Sequence, residues 1–332
     1  MHVRFKTALT ASTQRWRLAA TAVLLCLSAV TGFAQPRSEP SPVPEIGFID
    51  VGRDIKLRRM VVRPSNPKGV VLLLHGFPET LYVWRDIALA LGNEFEVHAF
   101  DWPGYGLSSR PPIDRFTYSP RDYADVLKAY IDKSGIDPSR FVIYATDIGA
   151  LPVLMLAVEK PKFAKAIVVG DFAPFDRPQY MYPSLQSLKS PASSEATRTY
   201  MNTTRDEILE NAFRRGLHKE QQFEVSQELK DDMSRGWNHG SMSSADAFYH
   251  YYSHFTRDQN HLESNLTRLR TPTKVIWGEN DIYIKADMGR EFAAKAKTDL
   301  RVLPGIGHYP HLQNPAQTID EIRALFQAKE IP

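Results

Sequence analysis

FVIYATDIG, residues Phe141–Gly149, decides how this chain is read. Phe141–Tyr144 form an unbroken apolar run, as expected of a strand buried on both faces. Small Ala145 and Gly149 bracket a turn, and LPVLMLAVEKP continues with helical character. A turn that tight exposes the side chain at its centre, here Asp147. Two readings stand for it. Aspartate is a good helix N-cap. At a strand end it is also placed as a carboxylate nucleophile, with the N–H of Ile148 aimed at a developing oxyanion.

The surrounding sequence repeats the strand–helix alternation. IGFIDV and IKLRRMVV predict an opening antiparallel pair, and GVVLLLH (69–75) a buried strand. LYVWRDIALALGN, FEVHAFD and SPRDYADVLKAYIDKSG predict helix, strand and helix, the last with Ser119 as N-cap and Gly135 as stop. FVIYATD, its helix and AKAIVVGD complete a βαβαβ series, which implies a mostly parallel sheet with right-handed crossovers. From Arg177 to about Asn265 the chain is polar and helix-like. TPTKVIWGEND restores the strand pattern, followed by a helix, the strand DLRVLPG and the helix TIDEIRALFQAK. The expected organisation is one sheet domain in two parts, 46–176 and 266–332, interrupted by a helical cap over 177–265. Ligands of such sheets bind at the carboxyl ends of the strands, so the insertion is expected to act as a lid.

The first 34 residues read as a signal peptide. Arg4, Lys6, Arg15 and Arg17 precede the apolar run LAATAVLLCLSAV, and TGFA offers a cleavage site before Gln35. The run is short for a membrane span of roughly 20 residues. Residues 35–45, rich in Pro and Ser, read as a linker. Removing the four leader cations from 41 Lys and Arg leaves 37 against 38 acidic residues, a net charge of −1. The basic balance is thus a targeting feature and gives no footing for nucleic acid. The single cysteine, Cys26, leaves with the leader, so the mature chain has no disulfide or thiol chemistry. With 43% hydrophobic and 24% charged residues, the chain is not a disordered one. The expected location is periplasmic or secreted, with no membrane contact after cleavage. Oligomeric state is open.

Four short segments fall at predicted strand ends. HGFPE (75–79) places His75, Phe77 and Pro78 beside the turn; Phe77 N–H is the second candidate oxyanion donor, and Pro78 is a candidate cis residue. ATDIG carries Asp147. GEND ends at Asp281, a carboxylate suited to orient a histidine. GIGHYPH places His308 in a glycine-rich loop as the candidate base, with His311 nearby. No His/Cys cluster has metal-ligand spacing, so neither metal nor cofactor is expected.

Together HG-x-P, DWPGYG (101–106), the elbow, GEND and G-x-GH resemble the α/β-hydrolase superfamily from about Ile46 to the C-terminus. The resemblance implies a mostly parallel eight-stranded sheet with helices on both faces and an inserted helical cap. An aspartate at the elbow resembles the epoxide hydrolases and dehalogenases of that superfamily. Haloalkane dehalogenases usually carry a halide-holding Trp after the nucleophile, where Ile148 stands. Haloacetate dehalogenases carry arginines there, and DIGALPVL has none. HGFPE is most like epoxide hydrolases. FYHYYSHFTRD (248–258) resembles their Y-Y-R segment, which implies Tyr252 as a ring-opening donor, with Tyr251 its competitor and Ser253 in place of the arginine. Tyr200 is the choice for the second donor, with Tyr182 and Tyr180 as alternatives. Either Asp281 or Asp171, in VVGDFAP, orients His308; Asp281 is favoured. The resulting expectation is an exported epoxide hydrolase with a small hydrophobic substrate, lined also by His75, Pro78 and Tyr251. The alternatives are a haloalkane or haloacid dehalogenase using the same triad, and a non-catalytic binding protein of this fold.

Overall fold

Eight strands form one sheet in the order β1-β2-β4-β3-β5-β6-β7-β8. They are β1 (Glu45–Asp50), β2 (Lys56–Val62), β3 (Val70–Leu74), β4 (Glu96–Phe100), β5 (Phe141–Thr146), β6 (Ala166–Gly170), β7 (Thr273–Gly278) and β8 (Asp299–Leu303). β1–β2 and β2–β4 pair antiparallel, and all other neighbours pair parallel. The computed structural model describes residues 43–327, so the expected signal peptide and nearly all of the expected linker lie outside it. The linker was expected to run through Glu45, but Glu45 already pairs with Val61 as the first residue of β1.

The central strands are buried on both faces. Every residue of β5 and β6 is buried, which requires helical layers above and below. Those layers come from α1 (Arg85–Leu91), α2 (Pro120–Ser134), α3 (Ala150–Glu159), α10 (Ala286–Ala296), α11 (Pro310–Gln313) and α12 (Pro315–Gln327). α2 shows how local chemistry sets the boundaries. Ser119 Oγ accepts from Asp122 N–H at its start, and Gly135 takes a left-handed φ of 64° at its end.

The connection from β6 to β7 holds α4 (Pro183–Ser187), α5 (Pro191–Thr203), α6 (Arg205–Asn211), α7 (Gln227–Trp237), α8 (Ser244–Ser253) and α9 (Phe255–Asn265). Buried polar ties fix this helical insertion to the sheet. Arg58 on β2 donates two bonds to Asp232 on α7, at 2.8 and 2.7 Å, and one to Asp101 at 2.6 Å. Thr80 Oγ1 also donates to Asp232, at 2.6 Å. On α9, Gln259 donates to the carbonyls of Ala173 and Phe175, both at 2.8 Å.

The chain leaves β3 towards β4 on one side and returns to β5 on the other. That is the topological switch point, where the loops after β3 and β5 diverge and leave a crevice.

Candidate active site

The loops at this crevice carry the residues singled out above. Asp147 follows β5 with φ 50°, and Asp171 follows the neighbouring β6 with φ 49°. Thr146 and Gly170 are register partners, so the two aspartates occupy equivalent strand ends. Left-handed backbone is uncommon outside glycine, though Asp tolerates it better than most residues. Asp147 is not an N-cap by side chain: it is the first residue of the short turn, and its carboxylate accepts instead from the adjacent Ile148 N–H.

The HGFP loop approaches Asp147 through Gly76. A Cβ at Gly76 would lie 2.5 Å from the Asp147 Cβ, so no larger residue fits here. The Phe77–Pro78 peptide is cis. Phe77 N–H has no partner among the described residues, while its carbonyl accepts from Tyr309 Oη at 3.0 Å. Glu79 closes the loop from behind: its Oε2 accepts from Gly76 N–H at 2.7 Å, and its Oε1 meets His311 Nε2 at 2.6 Å.

His308 lies between two carboxylates. Its Nε2 is 2.9 Å from Asp147 Oδ2 and its Nδ1 is 2.8 Å from Asp281 Oδ2. Asp281 Oδ1 accepts from the N–H groups of Tyr283 and Ile284, at 2.8 and 3.0 Å. Gly278 lets the histidine loop close over the end of β7, because a Cβ there would lie 1.9 Å from the Gly307 carbonyl. Burial opposes a charge on His308, but Asp281 and Asp147 outweigh it and hold the imidazole well above its usual range. Burial pushes the Asp147 carboxyl up, against the opposing pull of His308. The two carboxylates flanking the ring thus favour an imidazolium in the resting site.

A cavity of about 120 Å³ opens over Asp147. Its wall is mostly apolar and aromatic, including Phe77, Pro78, Ile148, Leu151, Phe248 and Phe255, with Arg215 the single Arg or Lys among the described residues that line it. Phe77 stacks on Phe248 of α8 at 4.2 Å, joining the HGFP loop to the inserted helices. Tyr251 and Tyr252, adjacent on α8, both line the cavity. The Tyr251 hydroxyl donates to the Ile148 carbonyl at 3.0 Å. The Tyr252 hydroxyl has no hydrogen-bond partner among the described residues. Burial, then the Asp147 charge, pushes its acidity well out of the physiological range, so it stays an O–H donor.

Several expectations need correction or sharpening. His75 does not line the cavity; it is fully buried beneath the loop, with Nδ1 on the Gly76 carbonyl at 2.7 Å and Nε2 accepting from Trp102 N–H at 3.3 Å. His311 is engaged with Glu79, away from Asp147. Asp281, not Asp171, contacts His308. Tyr200 and Tyr182 lie along the cavity wall but are 52% and 38% exposed, which puts them at its rim, and Tyr180 is not among the lining residues. Tyr283 and Tyr309, unnoticed in the sequence, pack edge-on against the His308 ring at 5.1 and 4.8 Å. Their place next to GEND and GIGH was the available signal.

Asp171, Asp281 and His308 bring three ligand-type atoms within 4.8 Å of one another. The 2.8 Å separation of His308 Nδ1 and Asp281 Oδ2 is that of a hydrogen bond.

A mostly parallel sheet with an aspartate at the elbow, a following acid and a late histidine defines a hydrolase of the α/β type. Residues 69–315 match the alpha/beta hydrolase fold family, and the chain belongs to it. Epoxide hydrolase 4 of Homo sapiens is 24% identical over 308 residues, covering 85% of this chain and 81% of that relative. Haloalkane dehalogenase 2 of Mycobacterium tuberculosis is 34% identical over 101 residues, covering 30% of this chain and only 34% of the relative's length. In structure the chain resembles Cfl2 from Burkholderia cenocepacia, with a TM-score of 0.71 at 20% identity, covering 85% of this chain and 95% of that one. This last likeness is one of fold.

Proposed function

We propose that this hydrolase opens epoxides to diols through an ester on Asp147. One observation carries the reading: in the cavity that Asp147 lines, Tyr252 offers a hydroxyl with no hydrogen-bond partner among the described residues, as an opening ring oxygen requires. Asp147 Oδ2 attacks an epoxide carbon and the ring C–O bond breaks. The emerging alkoxide takes the Tyr252 proton, and the imidazolium of His308 returns one to the phenolate through solvent. Ester formation removes the negative charge of Asp147. His308 loses one of the two carboxylates that held its proton, and becomes a competent base.

Neutral His308, oriented by Asp281, then takes a proton from water. The hydroxide adds to Asp147 Cγ, and the N–H groups of Phe77 and Ile148 stabilise the tetrahedral oxyanion. Collapse breaks the ester bond. The leaving alkoxide takes the proton of the newly added hydroxyl, which regenerates the Asp147 carboxylate, protonated His308 and free diol. The apolar wall favours a small hydrophobic substrate. The leader sequence supports export to the periplasm or beyond.

The dehalogenase reading draws on the haloalkane dehalogenase relative. Against it, among the described residues neither Trp nor Asn lines the cavity to hold a halide, and Ile148 and Phe77 offer no side-chain donor. The deciding experiment is a single turnover of excess enzyme on a small apolar epoxide in ¹⁸O-water. The label is expected in the Asp147 carboxylate, and the first diol formed should be unlabelled. Label in that first diol, or halide release from haloalkanes with no diol from any epoxide, would overturn the proposal.

A further inference from the structure

Asp171 has no step in the reaction above, yet it is fully buried against the triad. Its Oδ1 accepts from Gly278 N–H at 2.8 Å. Its Oδ2 is buried and has no donor among the described residues. The group beside it is a second carboxylate, Asp281, whose two oxygens already receive Tyr283 N–H, Ile284 N–H and His308 Nδ1–H. Two adjacent buried carboxylates cannot both be ionised without a large cost, and the one with more donors keeps the charge. Three donors converge on Asp281 and one on Asp171.

We propose that Asp171 retains a proton on Oδ2 and donates it to Asp281, acting as a positioning residue for the carboxylate that orients His308. The proton satisfies an oxygen that otherwise has no partner, and removes the repulsion between the two acids. Asp171 also holds Gly278, the first residue of the GEND turn, so both of its oxygens brace the same four-residue segment. The groups facing it point the same way. Burial and the Asp281 charge push its carboxyl well above the usual range, with His308 opposing, and Tyr144 of β5 is itself held protonated by burial. The left-handed φ of 49° at Asp171 fits a residue held in place for its side chain.

Asp171→Asn tests this directly, because the amide keeps an acceptor for Gly278 and a donor for Asp281. The kinetic arm rests on the epoxide reading; the spectroscopic arms do not. Asp171→Asn is expected to keep kcat within about threefold, whereas Asp171→Ala should lower kcat about tenfold with little change in KM. Nitrogen NMR of the His308 ring should give the same titration in wild type and Asp171→Asn, since a neutral group replaces a neutral group. Infrared difference spectra at neutral pH should show a protonated-carboxyl stretch in wild type that Asp171→Asn lacks. A lowered His308 pKa in Asp171→Asn, or absence of that band from wild type, would show Asp171 to be ionised and overturn the proposal. Both spectroscopic results remain decisive if Asp171→Ala fails to fold or no epoxide is turned over.

Discussion

Replacing Asp171 by Asn should make the protein more stable, by an amount that grows with pH. The carboxyl is fully buried, receives one backbone donor and stands beside the Asp281 charge. Its native-state pKa is therefore raised above its unfolded value of about 3.9. The native state binds this proton more tightly than the unfolded chain does. The resulting stabilisation is complete below the unfolded pKa and is lost as pH rises towards the native one. Within that window the loss is about 1.4 kcal/mol per pH unit. Asparagine has no proton to exchange, so the stability difference, variant minus wild type, should grow by the same ~1.4 kcal/mol per unit. In a domain of this size that corresponds to about 2 °C of melting temperature per unit. Urea titrations of both proteins at pH 5, 6 and 7 measure it, provided m is unchanged. Parallel pH profiles would refute the reasoning, as would a difference that shrinks with pH.

Other consequences follow from the same geometry. Tyr252→Phe should slow ester formation about 10²–10³-fold in stopped-flow measurements, while Tyr251→Phe, whose hydroxyl holds the Ile148 carbonyl, should mainly cost about 1 kcal/mol of stability. Asp232→Ala would leave Arg58 buried without its bidentate partner and should cost about 3–5 kcal/mol in urea unfolding. Gly76→Ala would drive a Cβ against Asp147, so activity should fall more than about 100-fold while circular dichroism stays native. Because burial raises the Asp147 carboxyl, the rate of ester formation should fall with decreasing pH around a midpoint above about 3.9, read from single-turnover rates.

Much of this site was legible because its signals are local. The apolar runs of β3, β5 and β6 report burial on both faces within five or six residues. Asp147, Asp281 and His308 stand where strand periodicity stops, which is where a parallel sheet presents its ligands. His75 misled for a related reason: it stands next to Gly76, but its ring turns under the loop to meet Trp102, 27 residues away.

The sequence by itself thus determined the hydrolase fold, the helical insertion and the candidate nucleophile, base and acid, since each is encoded in a short segment and its place in the element order. Only the tertiary structure decided between neighbours with the same chemistry. Tyr251 and Tyr252 differ because a carbonyl 103 positions away occupies the hydroxyl of Tyr251, while that of Tyr252 meets no partner among the described residues. Asp171 and Asp281 differ because His308 and two backbone donors converge on Asp281, while Asp171, 107 positions from Gly278, receives that one backbone donor among the described residues. A side chain's type is a local property. Its free donor or its proton depends on partners that only the folded chain brings together.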